Sequence, residues 1–274
     1  MFSDILMTVD FDRTMTDMDG SIPQRNVEAI RYFMEHGGTF TVNTGRSYVS
    51  FLPFLDKVPV NAPLLLMNGS GSYDNGEFRD IKAIEMDVWP VLRKLEKEFP
   101  QVNLELQAMD MHYLVAPTEE YLKYYEKRGL PHQVAAPEIH WGPFVKIGVY
   151  GDLHGSKGLT EGEEKPLFDR IEEYLNREIG QQLEVVRATP RIINVQNKGA
   201  NKMLAAQRLK EKLGKKILVC VGDEGNDIPM LQGADYAFCP CDGAVADRFP
   251  NVGSCGNGAV ADVIYEKLPE ILKG

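Results

Sequence analysis

Residues 5–17 read Ile-Leu-Met-Thr-Val-Asp-Phe-Asp-Arg-Thr-Met-Thr-Asp. The run Ile5–Val9 predicts a buried strand, short and apolar throughout. It ends in Asp10 and Asp12, and carboxylates at a buried strand end are costly unless something positive meets them. The two-residue period of extended chain lets Asp10 and Asp12 point the same way. A parallel α/β sheet gathers its ligands at the carboxyl ends of its strands, so this one stretch proposes both a fold and a place for chemistry.

Outward from that strand, the first third alternates strands with amphipathic helices. Pro23 suits a helix start, and Val27, Ile30, Phe33 and Met34 form an apolar stripe that stops at Gly37-Gly38. Strands are predicted over 39–43 and 63–67, with a helix over 48–55 between them, and Asp74-Asn75-Gly76 reads as a hairpin turn. The middle of the chain differs. A helix over 87–99 leads into adjacent strands at 102–107 and 112–116. A helix over 119–127 and a loop rich in proline and glycine follow, then strand 144–150, helix 166–179 and strands 183–187 and 191–195. Close-spaced strands suggest antiparallel pairing. The last third returns to the first pattern, with helix 200–213, strand 216–221, a helix from 226 to 232, a short strand at 236–238 and a helix over 259–272. The expected fold class is α/β. One parallel-sheet domain is built from 1–82 and 190–274, and a second α/β unit containing an antiparallel sheet is inserted at 83–189.

The chain has 274 residues, of which 43% are hydrophobic and 26% charged, as in folded globular proteins. Its net charge is −10 with no basic block, which argues against nucleic acid or an anionic membrane as partner. No apolar stretch approaches a membrane span and no signal-peptide pattern is visible, so a cytoplasmic location is expected. Cys220, Cys239, Cys241 and Cys255 match no standard zinc spacing and read as reduced thiols.

Four predicted strand ends carry polar residues: Asp10-Phe11-Asp12-Arg13-Thr14, Asn43-Thr44-Gly45-Arg46, Asn68-Gly69, and Gly222-Asp223-Glu224-Gly225-Asn226-Asp227. Lys202 opens the helix before the last of these strands. Converging carboxylates repel one another, and a hard divalent cation such as Mg²⁺ relieves them. A cation and a lysine can then neutralise a phosphoryl group, leaving one carboxylate to attack phosphorus and another to move protons. The Thr44 hydroxyl and main-chain N–H groups nearby can bind the transferring oxygens.

Asp10-x-Asp12-x-Thr14, Thr44, Lys202 and Gly222-Asp223-x-x-Asn226-Asp227 resemble, in order, the four motifs of the haloacid dehalogenase (HAD) superfamily. Asn43-Thr-Gly-Arg-Ser47, Met67-Asn-Gly-Ser-Gly71 and Val195-Gln-Asn-Lys-Gly-Ala-Asn-Lys202 further resemble its Cof-like phosphatases, which carry an inserted α/β cap. The resemblance implies a Rossmann-like core and hydrolysis of a small phosphomonoester, a sugar phosphate or similar metabolite, with Mg²⁺. It implies Asp10 as nucleophile through an aspartyl-phosphate. Asp12 would be the general acid and then base, and Asp10, Asp12 (through its carbonyl) and Asp223 the metal ligands. Asn226 and Asp227 would support metal and water, and Thr44 and Lys202 would bind the phosphoryl group; by their place at the strand ends, Gly45, Arg46, Asn68 and Asn226 are further candidates to contact phosphate or substrate. Lys198 is the fallback for Lys202.

Arg13 departs from the pattern, because glycine usually follows the general acid in this superfamily; a phosphate contact or a solvent-facing side chain are both open. Asn68-Gly69 is either a turn or a substrate contact. His140, Trp141, Lys146 and Arg187 lie in the inserted segment and are candidates to face substrate, while the histidines show no ligand spacing. A phosphomutase on the same scaffold and a phospho-acceptor signalling module are the other readings. The length and the Asp-x-Asp pair disfavour the module.

Overall fold

The computed structural model describes residues 1–136, 143–151 and 161–273. In chain order its elements are β1 (Ile5–Val9), α1 (Gln24–Glu35), β2 (Thr39–Val42), α2 (Tyr48–Phe51), β3 (Leu64–Leu66), β4 (Gly71–Asp74) and β5 (Glu77–Arg79). There follow α3 (Trp89–Glu98), β6 (Asn103–Gln107), β7 (His112–Val115), α4 (Glu119–Lys127), β8 (His132–Val134), β9 (Lys146–Tyr150), α5 (Glu161–Ile179), β10 (Leu183–Thr189) and β11 (Ile192–Asn197). The chain continues with α6 (Lys202–Lys212), β12 (Ile217–Val221), α7 (Ile228–Gln232), β13 (Tyr236–Pro240), β14 (Asn251–Val252), α8 (Ala259–Asp262) and α9 (Leu268–Ile271). They fall into two compact units, one of Met1–Arg46, Leu52–Asp80 and Ala200–Gly274, the other of Ser47–Phe51 and Ile81–Gly199. Residues 190–199 group with the second unit because β11 is hydrogen-bonded to β10 and β9.

The first unit is built on a five-stranded parallel sheet in the order β14-β13-β12-β1-β2. β1 is fully buried inside it, between β12 and β2, as its unbroken apolar run requires. α1 forms where Val27, Ile30 and Phe33 make one buried face, and it stops at Gly37, whose φ of 91° suits glycine. Burying Ile30 and Phe33 contributes about 2 kcal/mol each. β3 leaves this sheet: only a single parallel bridge, Asn43 to Leu65, joins it to the end of β2. Its ladder is with β4, in the small antiparallel sheet β3-β4-β5. The β4–β5 hairpin turns at Asn75-Gly76, both with positive φ, as expected for this dipeptide.

The second unit is a six-stranded sheet, β10-β11-β9-β6-β7-β8, antiparallel except for the β7–β8 pair. One face is apolar: Leu104, Leu106, Ile147, Val149, Ile193 and Val195 pack with α3 and α5. The other carries Glu105, Gln107, His112, Lys146, Asn194 and Gln196, all buried. α4 supplies Tyr121 and Tyr125 against Leu114. β8, a three-residue polar strand, falls in what the sequence offers only as a loop; its pairing to β7 is what makes it a strand.

One glycine fixes where α6 begins. Gly69 has φ 86°, and a Cβ there would lie 2.5 Å from the Asn201 carbonyl oxygen and 2.9 Å from Ala205 Cβ. Asn201 caps α6, its side chain accepting from Leu204 N at 2.7 Å. Gly76 has nearly the same φ, 87°, but nothing within 4 Å of its Cβ position. Gly76→Ala is therefore expected to cost about 1 kcal/mol of backbone strain. Gly69→Ala should cost roughly 2 kcal/mol more from overpacking. Urea unfolding of the two variants measures the difference, and equal losses would show that the approach of α6 to Gly69 does not constrain the fold.

Candidate active site

The carboxyl ends of β1, β2 and β12 lie side by side, and their ladders run on into the loops. Asp10 N donates to Val221 O and Asn43 N to Val9 O, each at 2.9 Å. These bonds pin the backbone of Asp10 in extended conformation just past β1. From the facing loop, Asp227 reaches inward because Gly222 has no side chain, where a Cβ would lie 2.6 Å from Asp227 Cβ. Asp227 Oδ2 accepts from the Asp223 and Glu224 N–H groups at 3.1 Å, closing that loop on itself.

Lys202 is the positive charge that the strand end demands. Its ammonium donates to Asp10 Oδ1 at 2.5 Å and to Asp227 Oδ1 at 2.6 Å, with the side chain fully buried. The Lys202 carbonyl accepts from Asn43 Nδ2 at 2.8 Å, which ties the start of α6 to the end of β2. Burial alone would lower the Lys202 pKa, but Asp10 and Asp227 outweigh it and the proton is held more tightly than in water. Burial pushes Asp10 well above the ordinary carboxylate range, against the pull of Lys202 and with help from Asp227 and Asp223. Burial likewise pushes Asp223 up to about 7, Asp227 adding to it while the Thr14 hydroxyl, donating at 2.8 Å, pulls back.

Asp10, Asp223 and Asp227 each offer an oxygen within 4.8 Å of the others, the one such group of potential metal ligands among the described residues. Ionised together, the three carboxylates would exceed the one ammonium by two negative charges, and this repulsion adds to burial in raising Asp10 and Asp223. An all-oxygen donor set with uncompensated charge fits a hard divalent cation such as Mg²⁺. The cysteines make no comparable group: all four are free thiols, and Cys255 Sγ lies 3.3 Å from Asp242 Oδ2.

Asp12 stands apart from the buried trio. Its side chain is 48% exposed, and both its oxygens accept from Arg46, Oδ2 from Nε at 2.8 Å and Oδ1 from Nη2 at 2.6 Å. The Arg46 guanidinium lies over the rings of Phe11 and Phe54, 5.2 and 5.0 Å from their centroids. The sequence suggests Arg46 as a substrate contact but gives no sign of this grip on Asp12, or of Phe11 and Phe54 as its bed. Thr44 is buried, and its hydroxyl accepts from Arg46 N at 3.1 Å. Gly45 sits where a Cβ would meet Asn68 Oδ1 at 3.0 Å, and that same oxygen accepts from Asn226 Nδ2 at 3.3 Å. Asn68 is thus a turn residue with φ 55° that also joins the loops after β2, β3 and β12. Lys198 is directed elsewhere, donating to the Gln181 carbonyl. In the second unit, Lys146 is buried and Arg187 pairs with Glu172; His140 and Trp141 lie outside the described residues.

The model of one protein family, described as haloacid dehalogenase-like hydrolase, matches residues 7–240. The chain belongs to that family. Among curated proteins, none matches this sequence. Solved structures similar to this hydrolase include a haloacid dehalogenase-like hydrolase from Bacteroides thetaiotaomicron, at 17% identity and TM-score 0.78 over 96% of this chain and 98% of that one. A second, from B. subtilis, is 16% identical with TM-score 0.78 over 95% and 99%. A sugar phosphatase of HAD subclass IIB is 18% identical with TM-score 0.72 over 97% and 99%. At such identities the likeness speaks for the fold of this hydrolase: a parallel-sheet core with a separate antiparallel sheet.

Arg13 is explained by its backbone. It has φ 58° and ψ 10° in the turn Phe11–Met15, the left-handed region where glycine sits without strain. Its N–H donates to Thr16 Oγ1 at 3.1 Å and its guanidinium to Glu224 at 3.0 Å, a half-exposed pair. Arg13→Gly and Arg13→Ala both lose that pair, so their difference isolates the strain. Chemical unfolding is expected to find the glycine variant about 1 kcal/mol more stable than the alanine variant. Equal stabilities would remove strain as the account of this position.

Proposed function

We propose that this hydrolase is a Mg²⁺-dependent phosphatase that cleaves a small phosphomonoester, a sugar phosphate or similar metabolite, by way of an aspartyl-phosphate on Asp10. The observation that carries the reading is Lys202, fully buried and bonded to both Asp10 and Asp227, with Asp223 beside them. Such a charge arrangement is poorly suited to a resting fold alone, since a well-packed apolar group of similar volume would serve stability as well. With a divalent cation held among the carboxylates, it would suit a phosphoryl dianion.

Asp10 Oδ attacks phosphorus, and the bond from phosphorus to the leaving oxygen breaks. Asp12 gives its proton to that oxygen, which departs as an alcohol. Asp12 then takes a proton from water, whose oxygen attacks the aspartyl-phosphate, freeing inorganic phosphate and the Asp10 carboxylate. Arg46 takes one lone pair on each Asp12 oxygen, so the carboxylate stays oriented while a proton is held on a lone pair that Arg46 does not use. Lys202 and the Thr44 hydroxyl neutralise and orient the phosphoryl oxygens, with Gly45 and Asn68 beside them. Asp10, Asp223 and the Asp12 carbonyl would hold Mg²⁺, with Asp227 in support; the cation would supply positive charge against the phosphoryl oxygens. We take the inserted unit, Ile81–Gly199, as the cap that governs substrate choice. We place the enzyme in the cytoplasm, where its free thiols stay reduced.

A phosphate-release screen over phosphorylated metabolites, run with and without Mg²⁺, tests the reading. Wild-type protein should release phosphate only with the cation. Asp10→Asn should lose about 10³-fold or more of that rate while keeping the wild-type circular dichroism spectrum. Full activity in Asp10→Asn, or release unaffected by a chelator, would overturn it.

A further inference from the structure

The turn after β3 packs closely on α6 at Gly69, whose missing Cβ admits the Asn201 carbonyl and Ala205. Beyond that contact the helix and the small sheet part, and a cavity of about 210 Å³ opens between them. All of its lining belongs to the first unit. None of Asp10, Asp12, Thr44, Lys202, Asp223 and Asp227 takes part in it. On the helix side, Ala205, Arg208, Leu209 and Lys212 follow one another at i, i+3, i+4 and i+7, a single face of α6. Ala205 and Leu209 are buried, Arg208 is half-buried and Lys212 is exposed. On the sheet side, Leu65 of β3 and Ser72 of β4 are register partners, so both side chains stand on one face. Ser72 Oγ donates to the Arg79 carbonyl at 3.2 Å and lies 3.4 Å from Oδ2 of Asp80, the residue that ends β5 at the rim.

The two cations on this wall differ from their neighbours. Lys202 meets Asp10, Lys210 meets Asp235, Lys215 donates to the Ser3 carbonyl and Lys216 meets Asp4. The side chains of Arg208 and Lys212 make no hydrogen bond or ion pair among the described residues. A half-buried guanidinium gains more from an arriving anion than an exposed one does, because less water and salt screen the pair. Arg208 and Lys212 against Asp80 leave one net positive charge, which a monoanion balances and a dianion exceeds. Between the charged ends the surface is apolar, formed by Leu65, Ala205 and Leu209.

We propose that this cavity binds a small organic monocarboxylate, one with a compact apolar body and a hydroxyl at its far end. The carboxylate pairs with Arg208, and Lys212 adds charge at the mouth. The body lies on Leu65, Ala205 and Leu209, and the hydroxyl donates to Asp80. An apolar cavity of about 150 Å³ holds benzene, so this one admits a ring with a short acidic arm. Asp80 would repel a second anionic end, which sets this ligand apart from a phosphorylated metabolite. The lining shares no residue with the proposed chemistry, so the site stands whether or not the phosphatase reading holds.

Isothermal titration calorimetry on the full chain tests this with three probes: 4-hydroxyphenylacetate, phenylacetate and the neutral 4-hydroxyphenethyl alcohol. The hydroxy acid is expected to bind. Phenylacetate, without the hydroxyl, should bind about threefold more weakly, and the neutral alcohol about tenfold more weakly. Arg208→Gln should weaken the hydroxy acid about tenfold, while Arg208→Lys, which keeps the charge, should lose less. Asp80→Gly removes the carboxylate without adding strain at a φ of 53°, and should erase the difference between the two acids. Excess inorganic phosphate should not displace the hydroxy acid. At ten times its Kd the hydroxy acid should raise the unfolding midpoint of the wild type by about 3 °C, and that of Arg208→Gln by less. The circular dichroism spectrum of Arg208→Gln should match the wild type, so that its loss is one of binding. Failure of both acids to bind, equal binding of the neutral alcohol, or displacement by phosphate would each overturn the proposal. So would an affinity that Arg208→Gln leaves unmoved, since the acid would then sit elsewhere.

Discussion

The ammonium of Lys202, shut between Asp10 and Asp227, is the constraint that the first unit is arranged around. A lysine with no exposed side-chain surface is tolerable only when its charge is met at close range, and here it is met twice. Meeting it requires that β1 end where it does, that α6 start beside β2, and that the loop after β12 fold back. Each requirement has its own fastening: Asp10 N on Val221 O, Asn43 Nδ2 on the Lys202 carbonyl, and Asp227 Oδ2 on two N–H groups of its own loop. Gly69 and Gly222 contribute by lacking a Cβ, one under the start of α6 and the other under Asp227. Loss of both carboxylates would strand the buried ammonium at a cost of about 3–5 kcal/mol, whereas loss of one leaves it the other partner.

Much of this was legible before any coordinates. The apolar run Ile5–Val9 announced a central strand, and the acids after it announced that something positive must be near. Lys202 could be preferred to Lys198 through its motif, and the structure directs Lys198 to the Gln181 carbonyl. Helix α4 was visible from Glu119 to Lys127, and the structure adds Thr118 as its cap. What stayed hidden shares one physical cause: it depends on partners far away in sequence. Arg46 and Asp12 are 34 residues apart, Ser47 and His112 are 65 apart, and nothing local in either segment names the other. β8 has only three residues and β14 only two, so neither carries enough periodicity to be read without its neighbour. β3 has the composition of a central strand, yet it departs into its own hairpin sheet, because Gly71 to Arg79 provides an antiparallel partner close at hand.

Backbone strain is distributed in the same pattern. Of the six described non-glycine residues with positive φ, three are Arg13, Met67 and Asn68, in the turns that follow β1 and β3. An asparagine accepts this conformation readily; an arginine or a methionine does so at about 1–2 kcal/mol. Such strain persists only where surrounding contacts over-determine the conformation. In both turns such contacts are present: Arg13 N with Thr16 and its side chain with Glu224, Met67 N with the Arg46 carbonyl and Asn68 N with the Thr44 carbonyl.

The two turns therefore meet the same segment from two sides. The turn after β1 ends in the Asp12 carboxylate that Arg46 grips, and the turn after β3 holds the carbonyls of Thr44 and Arg46. Between them, residues 44–46 have little freedom left: Thr44 is fixed by β3, and Arg46 by Asp12, Phe11 and Phe54. A segment held this tightly fixes where the Arg46 guanidinium meets the Asp12 carboxylate. The strain at Arg13 and Met67 is then the cost of aiming Asp12, and it is borne by turns rather than by the sheet, whose strands keep their regular ladders up to the last residue before the site.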